Sequence, residues 1–168
     1  MTETSADADH LLEVCCRIEF TMAASYRFLS DLYADTRDIA AVFRKTANEE
    51  QNHALQFELA LKLPNLILHP TVDVGAVDRL LKGVLDFDAK VRQTLPRPAD
   101  ALRSAVEMET RLEAYHMDRI GDFRHPQAQE MFKAMMAADK QHVETLTAAL
   151  ARLTAPGGGG GGGAGSEG

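Results

Sequence analysis

The chain has 168 residues, is 45% hydrophobic and 26% charged, and so has the size and composition of one domain with a sizeable core. Its formal net charge of −7 excludes the basic surface that a nucleic acid or an acidic membrane selects for, and is what carboxylates awaiting a cation give. Alanine, leucine, glutamate and methionine are plentiful and favour helix.

The first nine residues are polar and acidic, without the basic-then-apolar order of a signal peptide. No apolar stretch approaches the ~18 residues of a membrane span. The two cysteines, Cys15 and Cys16, are adjacent. Helical neighbours point about 100° apart, so no internal bridge is expected, and a cytoplasmic location is.

Helix A is expected over residues 8–34, with Leu12, Cys15, Ile18, Met22, Leu29 and Leu32 on one face and Ser5, Asp7 and Asp9 as candidate caps. A short turn leads to helix B over 37–62, with Ile39, Phe43, Ala47, Ala54, Phe57 and Leu61 inward and Pro64 as its stop. So short a connection makes the two antiparallel neighbours. Residues 63–71 read as loop. An amphipathic stretch over 75–94, with Val77, Leu81, Val84, Leu85 and Val91, is long enough to travel the length of a bundle. Its second apolar face either covers the bundle or forms a homodimer contact. Helix C is expected over 99–120, with Asp100 as cap and Gly121 as stop, and helix D over 126–153, opened by Pro126. No window alternates with period two between turn signals, so no strand is expected. The fold class is therefore all-α: a four-helix bundle over residues 1–155 with an additional crossover helix. Residues 156–168 are a glycine-rich tail that cannot pack a core.

Helices A and C repeat at an offset of 90 residues: Leu12 meets Leu102, Cys15 meets Ala105, Glu19 meets Glu109, Met22 meets Leu112 and Tyr26 meets His116. Helices B and D repeat at 89: Glu50 meets Asp139 and His53 meets His142. The chain thus reads as two helical hairpins of one plan. The polar members of this repeat lie on faces that are otherwise apolar. Carboxylates are almost never buried without a partner, and an unpaired ion in a core costs on the order of several kcal/mol. A pair of divalent cations removes both the burial penalty and the mutual repulsion. Residues at i and i+3 are neighbours on a helix, so Glu50 with His53, and Asp139 with His142, each offer an oxygen and a nitrogen to one small volume. Glu19 and Glu109 add a carboxylate from each remaining helix. Mixed oxygen and imidazole ligation suits iron or manganese, with zinc as a further alternative. A Glu from each of two helices and Glu-x-x-His from each of the other two is the ligand pattern of ferritin-like dimetal proteins. Glu107 and Glu113 flank Glu109; the phase of Leu102, Ala105, Leu112 and His116 favours Glu109, with Glu107 kept as the alternative. Glu49, Glu58 and Glu144 read as surface charges. So do His10, His69 and His125 as surface residues, while Cys15 and the methionines at 131, 135 and 136 read as core.

The segment Asn48-Glu49-Glu50-Gln51-Asn52-His53-Ala54 resembles the helix-B motif of the rubrerythrin-like branch of the ferritin-like superfamily. Glu19 with Tyr26 seven residues on is similar to its helix-A motif. The resemblance covers residues 8–153. It implies two iron ions, Fe(II) or Fe(III), bridged by Glu50 and Asp139. Glu19 and Glu109 are then terminal ligands, His53 and His142 take one metal each, and Tyr26 hydrogen-bonds a ligand. It implies an oxidoreductase acting on peroxide, oxygen or Fe(II), with a ferroxidase or a non-catalytic metal-binding bundle as alternatives. Three departures stand out. There is no paired Cys-x-x-Cys rubredoxin motif, which implies a separate electron-donor protein. Asp139 stands for a glutamate, and His116 stands for a tyrosine, as a further ligand or a neighbour of one. Because a glycine tail adds no packing, removing residues 156–168 is expected to shift the melting temperature by less than about 2 °C in a calorimetric scan.

Overall fold

The structure is a computed structural model, and it describes residues 3–63, 66–70, 72–114 and 121–155. Among the described residues five helices follow in order: α1 (Glu3–Leu32), α2 (Arg37–Leu61), α3 (Val74–Thr94), α4 (Pro98–Glu113) and α5 (Pro126–Thr154). Helices α1 and α2 form one antiparallel hairpin, α4 and α5 the other, and α2 packs on α5 to join them. Helix α3 is the crossover and lies against α1 and α4. The fold is the expected all-α bundle. No described helix is long and apolar enough to cross a membrane.

The periodicity that drives each helix is the one the core uses. Leu12, Cys15, Ile18, Met22 and Leu29 of α1 are buried, as are Ile39, Phe43, Ala47, Ala54 and Phe57 of α2 and Val77, Leu81, Val84 and Val91 of α3. Tyr26 is fully buried among helices, its ring 5.8 Å from that of Phe43 on α2 and 6.3 Å from that of Phe87 on α3. Leu32 and Leu85 depart from expectation and are exposed. Leu32 is the last residue of α1, where no further turn stands over it. Leu85 follows the buried Val84, about 100° further round α3.

The helix ends also differ in detail. Helix α1 begins at Glu3, so Ser5, Asp7 and Asp9 lie within it and not ahead of it. Helix α3 is capped by Asp73, whose carboxylate accepts from the Gly75 amide at 3.0 Å. It ends at Leu95, which takes a left-handed φ of 44° before Pro96. Helix α4 opens with Pro98 in its first turn, so Asp100 sits inside that turn. It closes at Glu113, and the expected extension to 120, His116 included, lies outside the described residues. So does the glycine tail.

Two short strands replace the expected loop. β1 (Ile67–Pro70) pairs antiparallel with β2 (Gly121–Phe123), Ile67 opposite Phe123 and Pro70 opposite Gly121, with an irregularity between Ile67 and His69. Gly121 thus opens a strand. Ribbons this short leave no alternation to read. This one ties the start of the crossover to the start of α5: Arg124 donates its amide to Leu66 at 2.8 Å, and Phe123 stacks on Phe132 with centroids 5.0 Å apart. Phe132 in turn packs on Phe57, 5.3 Å away. Phe57 is fully buried where α2 meets α5. Phe57→Ala is expected to cost about 3–5 kcal/mol in denaturant unfolding, while truncating the exposed Leu59 costs under about 0.5 kcal/mol.

Candidate metal centre

The polar residues of the repeat converge at the centre of the bundle. On α2, Ala47, Ala54 and Phe57 hold one face inward, and Glu50 and His53 lie on that same face. Their three-residue spacing puts Glu50 Oε2 3.3 Å from His53 Nδ1. On α4, Ala105 and Met108 carry Glu109 inward. Glu19 of α1 and Asp139 of α5 reach the same atom, His53 Nδ1, at 3.7 and 3.4 Å. His142 Nδ1 lies 3.0 Å from Glu50 Oε1 and 3.8 Å from Glu109 Oε2. The two imidazoles stack, with centroids 5.7 Å apart. All six residues singled out from the repeat are therefore brought together. Glu50 stands in the middle, with one oxygen turned to each histidine.

Tyr26 is where the helix-A motif implies: its hydroxyl donates a short hydrogen bond to Glu109 Oε1. Glu107 is exposed, so the face of α4 favours Glu109 as its phase did. Cys15 is buried, and Cys16, the second thiol, is buried too, with its Sγ 3.5 Å from the Ala54 carbonyl oxygen. Burial, reinforced by the negative charge of Glu19, pushes the Cys15 thiol well up, so it is a core residue and no ready nucleophile. Two residues were missed. Glu49, read as a surface charge, is only one-third exposed and places Oε2 3.3 Å from His142 Nε2. Gln56 has a buried Oε1 with no hydrogen-bond partner among the described residues. Both line a groove of about 290 Å³ between α2 and α5, with Asn52, His53, Met131 and Met135. The available signal for Glu49 was its place one residue before Glu50, at a position where the other hairpin has Ala138.

Burial and mutual repulsion shift the protonation of the clustered acids and imidazoles. Burial, then the neighbouring Glu50 carboxylate, pushes the Glu19 carboxyl up to about 8. Burial, then Glu19 and Glu50, pushes Asp139 up to about 8. Burial works to lower both histidines, but the surrounding carboxylates win: Glu19 and Glu50 lift His53 to about 10, and Glu109 and Glu50 lift His142 to about 11. Burial, then Glu109, holds the Tyr26 hydroxyl well above the usual phenol range. The close contacts do not satisfy the cluster. Glu50 Oε1, His53 Nδ1 and both nitrogens of His142 are buried with no partner of hydrogen-bond geometry among the described residues. Glu19, Glu50 and His53 form one triad, and Glu50, Asp139 and His142 another, each with ligand atoms within 4.8 Å of one another. Orphaned oxygens and nitrogens in two triads that share a carboxylate fit a pair of cations.

The family model described as Rubrerythrin matches residues 10–150. The chain belongs to the rubrerythrin family. No curated protein and no solved structure matches it. The family match spans all six clustered residues and Tyr26.

The raised Asp139 carboxyl has a consequence for the metal-free protein. An acid whose folded pKa is lifted above 3.8 destabilises the fold once the unfolded chain ionises, a penalty absent below about pH 4 and complete above about pH 8. Asp139→Asn is therefore expected to stabilise the metal-free protein by about 1–4 kcal/mol at pH 8, the gain fading as the pH falls toward 4 in chemical denaturation.

Proposed function

We propose that this rubrerythrin-family chain is a di-iron oxidoreductase that reduces peroxide or oxygen, with a separate protein as electron donor. The observation that carries this reading is Glu50, buried between two imidazoles with one oxygen toward each. Glu19, Glu50 and His53 would hold one ion, and Glu50, Asp139 and His142, with Glu109 beside them, the other. Iron held there would supply the two electrons that, with two protons from solvent, reduce the O–O bond of hydrogen peroxide to two waters.

The chain's own residues set the conditions for that chemistry. Buried Ala47, Ala54 and Phe57 on α2 and Ala105 on α4 flank the cluster, and this apolar setting strengthens the charge interactions inside. Tyr26 holds Glu109 by Oε1, which leaves Oε2 on the His142 side. The hydroxyl keeps its proton because burial and Glu109 oppose its loss. The groove beside His53 gives a small oxidant a route in, past the amides of Asn52 and Gln56. A carboxylate cluster with one methylene fewer at Asp139 still reaches His53 at 3.4 Å.

Anaerobically purified protein is expected to hold about two iron ions per chain, and Glu50→Ala about one or none, by metal analysis. Peroxide consumption with an added electron donor supports the peroxidase reading. Accumulation of ferric product on adding Fe(II) under oxygen points instead to a ferroxidase, and full metal content in Glu50→Ala overturns the ligand assignment. Glu19, Asp139, His53 and His142 all carry protons at neutral pH in the metal-free protein and must lose them to bind a cation. Metal uptake is therefore expected to release protons and to weaken as the pH falls from about 8 to about 6, which calorimetry in buffers of different ionisation enthalpy measures.

A further inference from the structure

The two imidazoles are alike on their inner side and different on their outer side. Each Nδ1 faces the carboxylates at the centre. Beyond that, His142 Nε2 lies 3.3 Å from Glu49 Oε2, a carboxylate itself held by Lys45, whose Nζ is 3.1 Å from Oε1. In the other hairpin the repeat puts Ala138 at the position of Glu49, and alanine has no side-chain acceptor. His53 instead lines the groove, together with Glu49 and Ala138. His142 is almost fully buried, and its Nε2 has no partner of hydrogen-bond geometry among the described residues.

A neutral imidazole carries one N–H. A cation on Nδ1 puts that hydrogen on Nε2, and a buried N–H needs an acceptor. We propose that Glu49 is a positioning residue that accepts the Nε2–H of His142, fixes its tautomer and ring orientation, and makes the His142 metal position the tighter of two inequivalent ones. The proposal rests on the dimetal reading above and goes beyond it by ranking the positions. A carboxylate behind a ligating histidine also raises the basicity of the nitrogen in front, which adds to the difference. At the repeat position Ala138 offers the His53 side no equivalent carboxylate, and His53 borders the groove, so the ion there is the more readily exchanged.

The test is calorimetric titration of the metal-free full chain with Co(II), a probe that binds without consuming oxidant. The wild-type chain is expected to bind two ions of unequal affinity. Glu49→Ala weakens the tighter by about tenfold or more and leaves the weaker unchanged. Glu49→Gln, which keeps a neutral acceptor, is weakened less than Glu49→Ala. Glu58→Ala removes the same charge from an exposed position of α2 and changes neither affinity. A thermal melt of each metal-free variant separates loss of fold from loss of affinity. Should Glu49→Ala fail to fold, Ala138→Glu carries the test: a carboxylate supplied to the other hairpin tightens the weaker ion by a similar factor, and an unchanged affinity overturns the proposal. Wild-type affinity in a folded Glu49→Ala overturns it while leaving the dimetal reading intact. A wild-type chain that binds no Co(II) overturns both.

Discussion

The bundle is organised around one carboxylate that ought not to be where it is. Glu50 is 2% exposed, sits at the junction of α2 with the second hairpin, and shares its two oxygens between His53 and His142. Burying a carboxylate is tolerable only against positive charge. In the metal-free protein that charge comes from protons on the histidines, which the surrounding acids hold far above their usual range. The same acids push one another the other way, so Glu19 and Asp139 keep protons as well. Protons thus sit on the atoms that cations would take in the proposed reading.

What holds this competition in place is the apolar structure around it. Tyr26 shows how the layers cooperate. Its ring is packed by Phe43 and Phe87 from two other helices, and its hydroxyl then fixes Glu109 on a fourth element, α4. One residue of α1 therefore links both hairpins and the crossover helix. The orientation of Glu109 rests on core packing as much as on hydrogen bonding, which is the arrangement a preorganised site requires.

The fold was legible because helical periodicity is written over many residues. The doubled Glu-x-x-His and Asp-x-x-His pattern stood out because its members fall on faces that are otherwise apolar, as Ala47 and Phe57 around Glu50 and His53 make plain. What was not legible depends on neighbours from distant parts of the chain. The β1–β2 ribbon pairs residues more than fifty positions apart and is too short to carry its own pattern. Asp100 has the chemistry of a cap but lost the place to Arg97, because Pro98 starts the helix earlier. Glu49 reads as solvated on α2 alone; only the approach of α5 turns His142 toward it. A helical wheel records the phase of one helix and is blind to what faces its flank.

The internal repeat makes the centre nearly symmetric in its acids and imidazoles, and symmetry by itself gives two equal halves. The departures from the repeat fall where they break that equality. Glu49 answers to Ala138, Tyr26 answers to His116, and Glu50 answers to the shorter Asp139. Glu49 stands behind His142, while its counterpart Ala138 offers His53 no carboxylate, and Glu50 turns one oxygen to each imidazole. A duplicated hairpin supplies the metal-binding plan twice over, and the substitutions outside the ligand set are what can give its two halves different work.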